Sequence, residues 1–270
     1  MNDKTKKNKK KAIALLCKTP PKEHIDFLKQ LNHNYDIYFI CDQDISKLNL
    51  PNINNIHYIY YNDAFVAEKG YHDSCIYIKK NKGSHGLVTS WDKALYYFCE
   101  VNSTYSHIWF IEEDVFIPLP ETIRNIDKKY SNKYDLLVQD NFIYNYIGIK
   151  RDITSWIKVK ETYDILNLPW YKSMQCANRV SKKLLVKIKD IVKKYKTLVY
   201  HEYMFNTLAH MNNLNVKVID ELKYIEYRHN NKTNWNYNEI IDFTKLYHPI
   251  KDMKLQKVYH ELIAKKDKIS

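Results

Sequence analysis

The stretch HIWFIEEDVFIP, His107 to Pro118, ends an apolar run on three consecutive acids, Glu112, Glu113 and Asp114, and returns at once to Val115, Phe116 and Ile117. SHIWFI reads as a buried strand. Three carboxylates at its tip repel one another unless a cation or a basic partner offsets them. The triplet is therefore either a solvated acidic turn or a cation site. Alternate residues of an extended strand end point the same way. Glu112 and Asp114 are then expected to converge, or Asp114 to reach a metal alone. A hard divalent ion such as Mn²⁺ or Mg²⁺ suits oxygen ligands, with water and phosphate completing its shell.

Working outward, KAIALLCKT (Lys11 to Thr19) reads as a buried strand, broken by Pro20 and Pro21. KEHIDFLKQL then places Ile25, Leu28 and Leu31 at helical spacing. YDIYFICDQD is a second strand, ending in Asp42 and Asp44, and NIHYIYYND a third. This β-α-β opening favours a parallel sheet with helices on its faces. KKNKGSHG, with Gly83 and Gly86, reads as a loop, and residues 87–101 as a helix with Trp91, Leu95 and Phe98 on one face. YDLLVQDN is another strand. Residues 145–175 are irregular and aromatic. SKKLLVKIKDIVKKYK is an amphipathic helix, with Ser181 as its N-cap. YHEYMFNTLAHMN is a further helix, VKVID a late strand, and LYHPIKD a loop before a Lys-rich helix.

The 270 residues, 45% hydrophobic, suit one large domain. The formal charge is +12, of which the first eleven residues, MNDKTKKNKKK, supply +5. Residues 1–11 are expected to be a disordered basic tail before a single domain, 12–270. The remaining +7 suits nucleic acid, an anionic membrane surface or a phosphorylated substrate. Five widely spaced cysteines with no C-x-x-C argue against a disulfide framework or a zinc site. Cys17 and Cys41, in apolar runs, read as core. No secretory or membrane-spanning segment is read, so a soluble protein of the reducing cytoplasm is expected.

WDKALYYF followed by HIWFIEEDVFIP resembles the GT-A fold of nucleotide-sugar glycosyltransferases, nearest in motif to the N-acetylglucosaminyltransferase I group. The matching residues are Trp91, Ala94, Leu95, Phe98, Glu112, Glu113, Asp114 and Pro118. The likeness covers about residues 84–120, is plausible for the β-α-β opening and is general beyond. Glu113 departs from the Asp usual at the middle of this DXD-like motif. The resemblance implies a Rossmann-like, mostly parallel sheet, with a nucleotide-binding half (about 12–120) and a C-terminal acceptor half (about 121–270). It implies Asp114 as metal ligand, with Glu112 and Glu113 beside it. It places Lys18, Thr19, Asp42 and Asp44 against the nucleobase. It makes His248 a second metal ligand and Lys251 a diphosphate contact.

The same resemblance offers Glu202 as general base for an inverting transfer, with His201 as a weaker alternative. Each has a plainer reading: Glu202 as a first-turn acid favoured by the helix dipole, His248 as a structural histidine, Asp44 as a turn cap. Lys93 reaches a phosphate or coats its helix. Arg179 is a candidate for phosphate or acceptor. Trp156 and Trp170 stack on sugars or pack as core. The expected reaction is metal-dependent transfer from a UDP-sugar to a hydroxyl acceptor such as a glycan. A nucleotidyltransferase is the first rival, though CKTPPKEH lacks the glycine of a phosphate loop. A nucleic-acid-binding domain is the second, but no binding motif appears and no nucleic-acid partner is expected.

Overall fold

Strand β1 (Lys11–Cys17) is buried along nearly all its length, because both faces of a parallel sheet are covered. Helix α1 (Lys22–Leu28) begins after the two prolines and tightens into a 3₁₀ turn, Lys29–Leu31. Strands β2 (Tyr35–Cys41) and β3 (Ile56–Tyr60) follow, then helix α2 (Asp63–Glu68). Helix α3 (Ser90–Tyr96) starts at a capping box of Thr89 and Asp92 and continues as a wider π turn, Tyr97–Val101. Strand β4 (His107–Glu112) leads through the acid triplet to helix α4 (Pro120–Tyr130). The computed structural model describes residues 11–75, 88–145, 159–228 and 234–266. Residues 1–10 of the basic tail, the glycine loop and Trp156 lie outside the described residues. Lys11, assigned to the tail by the sequence, opens β1.

The second half adds β5 (Leu136–Val138), β6 (Phe142–Tyr144), α5 (Val159–Ile165), β7 (Trp170–Lys172) and β8 (Ala177–Ser181). After these come α6 (Lys182–Tyr195), α7 (His201–Met211), β9 (Val216–Val218), β10 (Tyr224–Ile225), β11 (Tyr247–His248) and α8 (Met253–Lys266). Three differences from the sequence reading stand out. Within residues 145–175, read as irregular, α5 and β7 form. Within LYHPIKD, Tyr247–His248 forms a short strand rather than loop. β8 was not legible at all.

The central sheet runs β3-β2-β1-β4-β8-β5-β9 among the described residues. Every pairing is parallel except those of β8, which lies antiparallel between β4 and β5. This is the mostly parallel, helix-flanked sheet that the sequence led us to expect. One face packs α3, α6 and α7 through Trp91, Phe98, Ile188 and Phe205. The other packs α1 and α4 through Ile25, Leu28, Ile123 and Ile126. The chain leaves β1 into a helix on one face and enters β4 from a helix on the other. The crevice at the carboxyl ends of β1 and β4 is thus a topological switch point, where open sheets of this kind bind ligands. A third cluster joins Phe116, Trp235, Tyr247 and Tyr259, tying the C-terminal segment to the residues just past the acid triplet.

Candidate active site

A cleft of about 610 Å³ opens at this switch point. Its walls are the tip of β1 (Leu16, Cys17, Lys18), the tip of β2 (Asp42, Gln43), Ser90 of α3, the triplet Glu112-Glu113-Asp114, and Lys251. The acids are there because β4 ends at Glu112 and the chain turns, with the Val115 N–H donating to the Glu112 carbonyl at 3.0 Å. That turn replaces simple strand alternation and sends the three side chains three ways. Trp91 Nε1–H donates to Glu112 Oε1 at 2.7 Å. Glu113 Oε2 accepts the Lys18 backbone N–H at 3.3 Å. Asp114 Oδ1 lies 3.4 Å from Nε2 of His248.

His248 reaches Asp114 across 134 positions of sequence through one isolated bridge. Phe116 and Tyr247 exchange backbone hydrogen bonds, at 2.8 and 3.1 Å, and Ile250 N–H donates to the Asp114 carbonyl at 2.7 Å. His248 Nδ1–H donates to the Glu226 carbonyl at 3.0 Å, which leaves Nε2 facing the acids. This is the orientation a ligating imidazole needs. Burial opposes a charge on His248, but the hydrogen bond and charge of Asp114, with that of Glu112, raise its pKa above the ordinary value.

The carboxylates of the cleft repel one another. Burial raises the Glu113 carboxyl, and the charges of Asp114 and Asp42 push it the same way. Asp42 is open by surface area yet closely walled by protein, and that desolvation pushes its carboxyl up to about 6 despite Lys93 nearby. Four carboxylates face two lysines among the lining residues. A cation at the tip of β4 relieves this repulsion. The donors there, carboxylates of Glu112 and Asp114 and the oriented imidazole of His248, fit a divalent ion.

One ligand-type residue escaped the sequence reading. The Sγ of Cys176, a carboxylate oxygen of Glu112 and a ring nitrogen of His248 all lie within 4.8 Å of one another. Cys176 precedes β8, and its carbonyl accepts the Glu112 N–H at 2.8 Å. Burial pushes its thiol well up, and the charges of Glu112, Asp114 and Glu202 add to this. Glu202 is not among the cleft-lining residues. It sits in the first turn of α7, with its Oε2 3.2 Å from Lys172 Nζ.

Other candidates are placed elsewhere. Lys93 neither coats its helix nor lines the cleft. It is buried, its ammonium donating to the Asp42 carbonyl at 2.7 Å and pairing with Asp63 at 2.8 Å. Asp44 is an exposed turn cap whose Oδ1 accepts the Ser46 N–H at 2.8 Å. Thr19, half-buried, is not among the cleft-lining residues, whereas Lys18 is. His201 is buried against Trp91, and its Nδ1–H donates to the Ser74 carbonyl at 2.6 Å. Arg179 is fully buried and bound to Asp127 at 2.6 Å, far from any phosphate role. Trp170 is core. Lys251 does line the cleft, with its backbone N–H held by Asn234 Oδ1 at 2.8 Å.

No family model and no curated protein matches this chain. Among solved structures it resembles 4-diphosphocytidyl-2C-methyl-D-erythritol synthase from Anaerococcus prevotii, at 10% identity and TM-score 0.45, over 95% of this chain and 97% of that one. It resembles the mannosyltransferase Ktr4p from S. cerevisiae in complex with GDP, at 14% identity and TM-score 0.36, over 75% and 66%. It also resembles mouse xyloside xylosyltransferase 1, at 10% identity and TM-score 0.35, over 78% and 85%. All three are distant likenesses of backbone course. No described helix is long and apolar enough to cross a membrane.

Proposed function

We propose that this chain is a metal-dependent glycosyltransferase that moves a sugar from a nucleotide-diphosphate donor, UDP-linked by expectation, to a hydroxyl acceptor. The observation that carries this is the meeting of His248 Nε2 and Asp114 Oδ1, 3.4 Å apart, at the tip of β4 in the switch-point cleft. Asp114 and His248, with Glu112 beside them, would hold the divalent ion, Mn²⁺ or Mg²⁺. When bound, such an ion neutralises diphosphate charge and acts as a Lewis acid on the departing nucleotide. The chain's own residues do the rest. Asp42, Gln43 and Lys18, at the tips of β2 and β1, receive the nucleoside end of the donor. Lys251, which also lines the cleft, adds positive charge there. Trp91 holds Glu112 in place through its indole N–H. If configuration inverts, Glu202 accepts the proton of the acceptor hydroxyl, with Lys172 fixing its carboxylate.

The test is release of nucleoside diphosphate from a panel of nucleotide-sugars, with and without Mn²⁺. Asp114→Ala should abolish release while its melting curve stays cooperative. Wild-type turnover by Asp114→Ala in Mn²⁺ would falsify the reading. Release of pyrophosphate from a nucleoside triphosphate would instead make the chain a nucleotidyltransferase.

A further inference from the structure

We propose that Cys176 completes the cation site with sulfur, so that the site takes a thiophilic divalent ion (Zn²⁺, Co²⁺ or Cd²⁺) in preference to Mg²⁺. This rests on the reading above that a divalent cation is held at the tip of β4.

Three chemically different donors converge from three separate parts of the chain: the Glu112 carboxylate, the Cys176 thiol and the His248 imidazole, all within 4.8 Å of one another. Two of the three are held by backbone geometry. The antiparallel pairing of β4 with β8 brings Cys176 opposite Glu112, with the Glu112 N–H on the Cys176 carbonyl. The Phe116–Tyr247 bridge delivers His248, and Glu226 turns its Nε2 inward. Asp114 stands 3.4 Å from that same nitrogen and supplies a fourth donor. An ion with legs of about 2.0–2.3 Å holds its ligands about 3.5 Å apart in a tetrahedral shell. Side-chain rotations on the order of an ångström therefore close the group around it.

The donor set has a clear chemical preference. Mg²⁺ demands six hard oxygens in near-ideal octahedral geometry. Sulfur and imidazole together suit zinc-like ions, with Mn²⁺ between the two extremes. As the sulfur–metal bond forms, the thiol proton leaves to solvent, so charge and atoms balance without any oxidant. A cysteine far from any C-x-x-C is invisible as a ligand in the sequence; here the sheet pairing supplies the neighbour that a short motif would otherwise supply.

The experiment uses the whole chain, stripped with a chelator and titrated with Co²⁺, with and without UDP. The expected result is a sulfur-to-cobalt charge-transfer absorption in the near ultraviolet that saturates at one equivalent. Cys176→Ser and Cys176→Ala should lose that band and bind Co²⁺ at least about 10-fold more weakly. Their Mn²⁺ affinity, read by electron paramagnetic resonance, should change less. Cadmium NMR on the wild-type chain gives a second readout that needs no variant: a shift typical of one sulfur among oxygen and nitrogen ligands is expected. Co²⁺ bound without the band, or a band that survives both substitutions, overturns the role of Cys176 and leaves the cation reading intact. Failure of both Co²⁺ and Mn²⁺ to bind, with UDP present, overturns both.

Discussion

A carboxylate at the tip of β4 is costly until something positive arrives. Glu113 and Asp42 both hold their protons more tightly than free acids do, chiefly because protein surrounds them. Removing Asp114 relieves Glu113 but also takes away the partner of His248, so the two effects on the fold oppose each other. Asp114→Ala is therefore expected to keep a cooperative melt, measured by calorimetry, while losing turnover. Glu202 makes a sharper test of mechanism. A general base contributes about 10²–10⁴-fold to rate, so Glu202→Gln should lower kcat by roughly that factor with little change in donor KM. Initial rates check this, and a kcat within about 2-fold of wild type removes Glu202 from the reaction.

At the scale of elements, the end of the sheet away from the cleft is knotted by one acid on α4. Asp127 accepts from Tyr35 of β2 at 2.7 Å, Trp109 of β4 at 3.3 Å and Arg179 of β8 at 2.6 Å, and pairs with Lys11 of β1 at 3.2 Å. Arg179 Nε and Nη2 have no protein partner among the described residues. Removing the acid strands a buried guanidinium, which costs about 3–5 kcal/mol. Asp127→Ala should lose that much in urea denaturation. Arg179→Met should lose clearly less, because an apolar side chain of similar length leaves no unpaired cation. Equal losses from the two would refute this account. At the start of α6, Ser181 Oγ accepts the Leu184 N–H at 3.3 Å. Ser181→Ala should cost about 1 kcal/mol by the same assay.

For the whole molecule, acid is the exposing condition. Burial pushes the imidazoles of His24 and His107 down to about 4, from an ordinary 6.5. Between those values the unfolded chain binds more protons than the folded one, so stability rises with pH there. The contribution is complete above about pH 6.5 and is lost as pH falls toward 4, on the order of 2–3 kcal/mol for each histidine. Melting temperature measured from pH 7.5 to 4.5 should fall across that window. His107→Gln, which can still donate to the Tyr134 carbonyl, should flatten part of the fall. An unchanged slope would show that His107 is protonated in the fold.

The runs KAIALLC and YDIYFIC declared their strands locally, because a strand covered on both faces is apolar throughout. The amphipathic α6 with its serine cap, and the acids at the tip of β4, were legible for the same reason: each pattern is complete within a dozen residues. β8 was not, since ANRVS holds Asn178 and Arg179, both fully buried, and the acid that receives Arg179 is Asp127, far away on α4. Lys93 misled in the same way; on a helix it reads as surface, and the carbonyls that bury it belong to β2. Above all, the approach of Cys176 and His248 to Glu112 arises from strand pairing between segments far apart in the chain. Such pairings are decided by which faces bury together, a property of the assembled sheet that no local run of residues encodes.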